Sequence, residues 1–265
     1  MTRTLRAYGV DVRIDADDAE VLALIDQRLP RFDCVEPAGE PALSYRIVRQ
    51  QERFVVTRGR RTIMIVDESW LAAYGLVADL QSTLARLAAD LTFVHAGVVA
   101  IDGRAIVLPA PSGGGKTTMV AALLAAGAEY ASDEFAVIDP AGRVHAYPRR
   151  LAIRTAGLPV ERVLPADLGG RVVDRPLEAA AVVFLRFDPN GTLRLKELSA
   201  GQAAVRLLQH CTGARGRPSE TLTALRALTS SAAGLEGTRG EAKDAAPALI
   251  ERLRSADQAL VRASY

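Results

Sequence analysis

The sequence predicts an α/β protein: a mixed sheet whose hairpin runs into a glycine-rich loop, preceded by a small N-terminal α/β domain. Three observations carry this. Ala110-Pro111-Ser112-Gly113-Gly114-Gly115-Lys116-Thr117-Thr118 stands between an apolar run at 105–108 and a helix-forming run at 119–124. Asp102-Gly103, a strong hairpin signal, joins that apolar run to an earlier one at 92–101. Residues 1–66 hold short runs of β-branched residues around one helical stretch.

Composition sets the limits. At 265 residues the chain has room for one large domain or two small ones. A net charge of +2 gives no electrostatic case for nucleic acid or an anionic membrane. No apolar run approaches the roughly 20 residues of a membrane span. The start, Met1-Thr2-Arg3-Thr4-Leu5-Arg6, lacks the apolar core of a signal peptide. Cys34 and Cys211 suit neither a disulfide framework nor zinc spacing. The expected setting is the cytoplasm.

In order, Val10, Val12 and Ile14 alternate as on a half-buried strand. Asp15 or Asp17 caps a helix to about Arg28, stopped by Pro30. Residues 34–40 form a loop, and strands follow at 43–48, 54–57 and 62–66. Asp67 caps a helix over 69–90, in which Trp70, Tyr74, Val77, Leu80, Leu84 and Leu87 make one buried stripe. This helix braces the two parts, giving segments 1–66, 67–90 and 91–265. Next come the two hairpin strands, the glycine loop, and a short helix ending near Gly127. Strands follow at 135–138, 144–147 and 151–154, then a Pro- and Gly-interrupted loop or lid at 155–178. A buried strand at 180–187 turns into one at 192–195, and Ser199 starts a helix to Gln209. Residues 213–218 are a basic loop, 220–229 a helix, 230–240 weakly patterned, and 245–253 a closing helix.

The glycine loop has the chemistry of a phosphate cradle. Ser112, Gly113, Gly114 and Gly115 let successive N–H groups turn toward phosphate oxygens, and the helix from Lys116 adds its positive end. Lys116 bridges β- and γ-phosphates, and the Thr117 hydroxyl, with Thr118 beside it, serves Mg²⁺ and the cradle. Ala110 stands where the usual pattern has glycine. Lysine occurs only at 116, 196 and 243 in this arginine-rich chain, which makes its place here the more telling. Asp133 and Glu134 return 17 and 18 residues after Lys116. One carboxylate holds the metal and the other accepts a proton from an attacking hydroxyl. Arg149, Arg150 and Arg154 are candidates for binding phosphate or an acidic substrate.

Residues 93–139 resemble the catalytic core of HPr kinase/phosphorylase and, more distantly, phosphoenolpyruvate carboxykinase. Phe93-Val94-His95-Ala96-Gly97-Val98 is similar to that family's Leu-His-Gly-Val strand. The glycine loop and Tyr130-Ala131-Ser132-Asp133-Glu134 are similar to its loop and acidic pair, and Leu151-Ala152-Ile153-Arg154 to its Leu-Glu-Ile-Arg segment, with Ala152 in place of the acid. The resemblance implies a P-loop kinase core of HPr kinase/carboxykinase type, using ATP and Mg²⁺. It implies Asp133 as the base, helped by His95, with Glu134 and Thr117 serving the metal. Similarity to the compact HPr-kinase-related proteins of modified-peptide biosynthesis implies a Ser/Thr-type hydroxyl of a peptide or small protein as acceptor. A kinase for a small alcohol such as free serine, a non-catalytic nucleotide switch and a homo-oligomer are compatible with the same residues.

Overall fold

The computed structural model describes residues 1–34, 39–88, 90–154 and 157–263, the side chains only as far as residue 255. The chain divides into two compact units, Met1–Ala89 and Asp90–Tyr265.

In the first unit β1 (Thr2–Ala7), β2 (Val10–Ala16), α1 (Ala19–Asp26), β3 (Asp33–Cys34), β4 (Leu43–Gln50), β5 (Arg53–Arg58), β6 (Arg61–Val66) and α2 (Ser69–Leu87) follow in order. The sheet order is β3-β1-β2-β4-β5-β6. It is antiparallel except for the β2–β4 pair, which α1 joins as a crossover. Alternate residues point inward: Val10, Val12 and Ile14 on β2, Leu43, Tyr45 and Ile47 on β4. They meet Val21, Leu22 and Ile25 of α1 and Leu76, Leu80 and Leu84 of α2. A polar cluster sits inside, where Asp79 accepts from Tyr45 and Arg58, each at 2.7 Å.

Three sequence expectations shift here. The cap of α1 is Asp18, whose carboxylate accepts from the Glu20 N–H at 2.8 Å, one residue beyond Asp17. Asp67 precedes the cap position of α2 and pairs with Arg53 at 3.0 Å instead. Of the expected stripe on α2, Val77, Leu80 and Leu84 are buried while Trp70, Tyr74 and Leu87 are exposed. The buried arc takes in Leu76 and the small residues Ala72, Ala73, Gly75 and Ala85 instead. A Cβ on Gly75 would come within 2.2 Å of the Met64 sulfur. Part of the 34–40 loop lies outside the described residues.

The second unit comprises β7 (Thr92–Ile101), β8 (Arg104–Pro109), α3 (Lys116–Ala125), β9 (Glu129–Ser132), β10 (Phe135–Ile138), β11 (Val144–His145), β12 (Leu151–Ile153), β13 (Glu161–Val163), β14 (Ala179–Phe187), β15 (Arg194–Leu198), α4 (Ala200–Leu208), β16 (Cys211–Thr212), α5 (Pro218–Ser231), β17 (Ala233–Arg239) and α6 (Ala242–Ala263). The main sheet runs β11-β10-β7-β8-β14-β17-β15, with β9 and β16 also on β7. It is mixed: β8 is antiparallel to β7 and parallel to β14. Both faces are covered, so β7 and β8 are buried along nearly their whole length and mostly apolar, His95 and Arg104 being the half-buried exceptions. Val99, Ile106 and Leu108 pack with α3 and α6 on one face, and Val98, Val107 and Val182 with α4 and α5 on the other.

Two segments differ from the sequence reading. The described part of 155–178 is tied down, not a lid. β13 pairs with β12, Tyr130 N donates to Arg171 O at 2.7 Å, and Leu177 N to Val144 O at 2.9 Å. Residues 233–239, weakly patterned in sequence, form the strand between β14 and β15. Its Gly237 is required by contact, since a Cβ there would lie 1.7 Å from the Arg194 carbonyl oxygen.

Candidate active site

Strand β7 is the ruler of the site. Pro109, at the mouth of the glycine loop, is in register with Ala96. On the other edge β9 leaves β7 at Ser132–Val98 and β10 rejoins it at Phe135–His95. The Asp133-Glu134 kink is therefore held against the same residue, and Ala96 N donates to Glu134 O at 3.1 Å. Ser132 shapes the kink, its hydroxyl accepting from the N–H groups of Glu134 and Phe135 at 3.0 and 2.9 Å. Loop and acids thus meet because both are pinned to one position of one strand.

The loop has the backbone its glycines permit. Gly113 and Gly115 have φ of +80° and +79°. Gly115 occupies the cap position of α3, and no side chain caps that helix, leaving its first N–H groups for an anion. Ser112 and Gly113 stand exposed at the tip. Lys116 folds back inside, donating to Ala110 O at 2.8 Å and Pro111 O at 3.0 Å, and lying 2.9 Å from His95 Nε2.

The acids face this end of the loop. Thr117 Oγ1 donates to Asp133 Oδ2 at 3.0 Å, and Tyr130 OH to Asp133 Oδ1 at 3.1 Å. Arg149 spans the pair: its Nε donates to Asp133 Oδ1 at 2.9 Å and its Nη2 lies 2.6 Å from Glu134 Oε2. Asp133 is 1 % exposed. Two adjacent carboxylates at this depth would repel each other without the guanidinium. Burial alone would lower the Arg149 pKa, but Asp133 and Glu134 outweigh it and push it up. Burial lowers Lys116, against the pull of Glu134 and Asp133.

His95 lies between Lys116 and Glu134, with Nδ1 3.6 Å from Glu134 Oε1. Burial and then the Lys116 charge depress its pKa, so the ring is neutral near pH 7. With the ammonium donating to Nε2, the ring proton belongs on Nδ1, facing Glu134.

Of the three arginines singled out in sequence, Arg149 joins the acids; Arg150 and Arg154 make no side-chain bond to either carboxylate among the described residues. Arg149 arrives because Tyr147 is fixed, its N–H donating to Ala131 O at 2.9 Å and its ring centroid 5.5 Å from that of Phe135. Sequence reasoning missed Arg239. This buried guanidinium leans on the loop: a Cβ at Gly115 would come within 2.6 Å of its Nη2. It lies 5.2 Å from the Phe187 ring centroid. With Thr118 and Gly113–Gly115 these residues line a cleft of about 450 Å³. The only sequence signal was an arginine two residues after Gly237, in a stretch with no pattern.

The donor set fits the groups expected. Thr117 and Asp133 are hard oxygen donors in contact, as Mg²⁺ shared with phosphates requires. No cluster of three or more His, Cys, Asp or Glu residues able to hold a metal ion exists among the described residues.

Fold and site together define a mixed-sheet α/β unit with a glycine loop between strand and helix and an acidic pair, its Asp133 buried, at the start of that helix. No protein-family model matches the chain, and no curated protein does. Among solved structures, the Hpr(Ser) kinase/phosphatase from Coxiella burnetii is similar at a TM-score of 0.37 and 15 % identity, over 64 % of this chain and 98 % of that one. No helix among the described residues is long and apolar enough to cross a membrane.

Proposed function

We propose that the second unit is an ATP-dependent phosphotransferase acting on a Ser/Thr-type hydroxyl of a peptide or small protein. The observation that carries it is the 3.0 Å contact of Thr117 with Asp133, which sets the acids at the lysine end of an uncapped phosphate loop. The motif likeness of residues 93–139 to HPr kinase supports the same reading.

In this reading the N–H groups of 113–118 and Lys116 bind the β- and γ-phosphates, and Arg239 neutralises charge from the Gly115 side. The cleft of Phe187 and Arg239 takes the rest of the nucleotide. Bound magnesium would supply charge neutralisation at the phosphates, held by Thr117 and the acidic pair. Asp133, paired with Arg149, takes the proton of the attacking oxygen; both its oxygens now carry donors, so Arg149 or Thr117 yields when the acceptor arrives. His95 orients Glu134 and holds Lys116 in line.

The test is Asp133→Asn with ATP, a serine peptide, a small protein and free serine as acceptors. Transfer should fall by about 10²- to 10⁴-fold while the nucleotide Kd measured without magnesium moves little. Transfer to free serine alone would restrict the acceptor to a small molecule. Wild-type protein that binds ATP and phosphorylates none of them would leave a nucleotide switch.

A further inference from the structure

A second cleft, of about 410 Å³, shares Ala110, Pro111, Leu185 and Arg186 with the first and is lined beyond them by Phe184, Lys196, Arg206, His210 and Glu236 among others. No role falls to Lys196, Arg206, His210 or Glu236 in the nucleotide site. Three features give it one. First, it adjoins the reacting end: His95 N donates to His210 O at 2.8 Å, and Pro111 O accepts from Lys116 at 3.0 Å. Second, its charge is unbalanced. Glu236 pairs with Lys196 at 2.7 Å and with Arg206, so three cations with Arg186 face one carboxylate. Third, it has an aromatic floor, since the Arg206 guanidinium lies 6.0 Å from the Phe184 ring centroid and the His210 ring, tilted by 37°, lies 6.4 Å from the same ring. Burial, and then Lys116, depress the His210 pKa, so His210 adds no charge at neutral pH.

We infer that this cleft seats the acceptor, and that the acceptor is a peptide carrying a carboxylate side chain beside its hydroxyl. The inference rests on the phosphotransferase reading. An acidic acceptor approaching a triphosphate meets like charge, and cations in the approach offset that repulsion. Lys196 and Arg206 line this cleft and not the one beside Gly113–Gly115, so they serve the acceptor side.

The test uses the full chain and two serine hexapeptides identical except that two glutamates flanking the serine in one are glutamines in the other. Binding is measured by calorimetry at low salt, and ATP binding separately. The glutamate peptide should bind at least tenfold tighter. Lys196→Gln with Arg206→Gln should erase that preference and leave the ATP Kd within about threefold. Glu236→Gln, which releases both cations from their internal partner, should tighten the glutamate peptide. The inference is overturned by equal binding of the two peptides, by a preference that survives the double substitution, by an ATP Kd loss as large as the peptide's, or by weaker glutamate-peptide binding in Glu236→Gln. Inorganic phosphate binding as tightly as the glutamate peptide would also overturn it, leaving a plain anion site. If the peptide preference holds and no peptide is phosphorylated, the transferase reading fails, and the cleft is left as an acidic-peptide site with no acceptor role.

Discussion

Arg149 decides what the two acids can do. A guanidinium joined to both carboxylates compensates charges that burial would otherwise make costly. Arg149→Met leaves the buried Asp133 carboxylate uncompensated beside the half-buried Glu134, so stability should fall by about 3–5 kcal/mol in chemical denaturation. Adding Asp133→Asn should recover part of that loss, a coupling that independent sites would not show. His95 sets a pH dependence. Its native pKa lies below its ordinary 6.5, so below 6.5 the unfolded chain binds a proton the native site refuses. Its stability contribution is complete above about 6.5 and drains as the pH falls through the native value. Urea titrations at pH 7.5 and 5.5 should show the drop, shallower in His95→Gln. The loop and acidic pair were legible because their chemistry is local in sequence: glycines then lysine, two acids side by side. Arg149 was legible only as an anion binder and not as the partner of the two acids, and Arg239 was not legible at all, because an arginine among many carries no sign of what it will face.

Strands whose side chains alternate or run apolar through both layers were readable, as at 92–101 and 180–187. β17 was not. Its Ala-Gly-Leu-Glu-Gly-Thr-Arg has glycines where the neighbouring strand comes too close for a side chain, so packing removed the pattern that would have announced it. β1 was missed for a related reason, as only Leu5 and Ala7 of its six residues are buried. Gly237→Ala should cost several kcal/mol, because the clash is with backbone and neither strand can yield alone. A thermal melt reads it, with Gly201→Ala, where a Cβ meets nothing within 4 Å, as the control that should barely move.

Each unit has its own sheet and its own buried core, the condition for folding alone. Residues 90–265 expressed alone should melt cooperatively and bind ATP with a Kd close to that of the full chain, since the loop, acids and both clefts lie within them. The broad α/β class and the hairpin entry followed from periodicity and one Asp-Gly pair; the mixed strand order did not, because pairing between β14 and β8, some 70 residues apart, leaves no local trace. The common register of loop and acids on Ala96 has a mechanical result. Flexing of the sheet should therefore carry the mouth of the loop and the acidic kink together. A single residue inserted between His95 and Gly97 would slide one against the other by about 3.3 Å and uncouple them with every side chain still present.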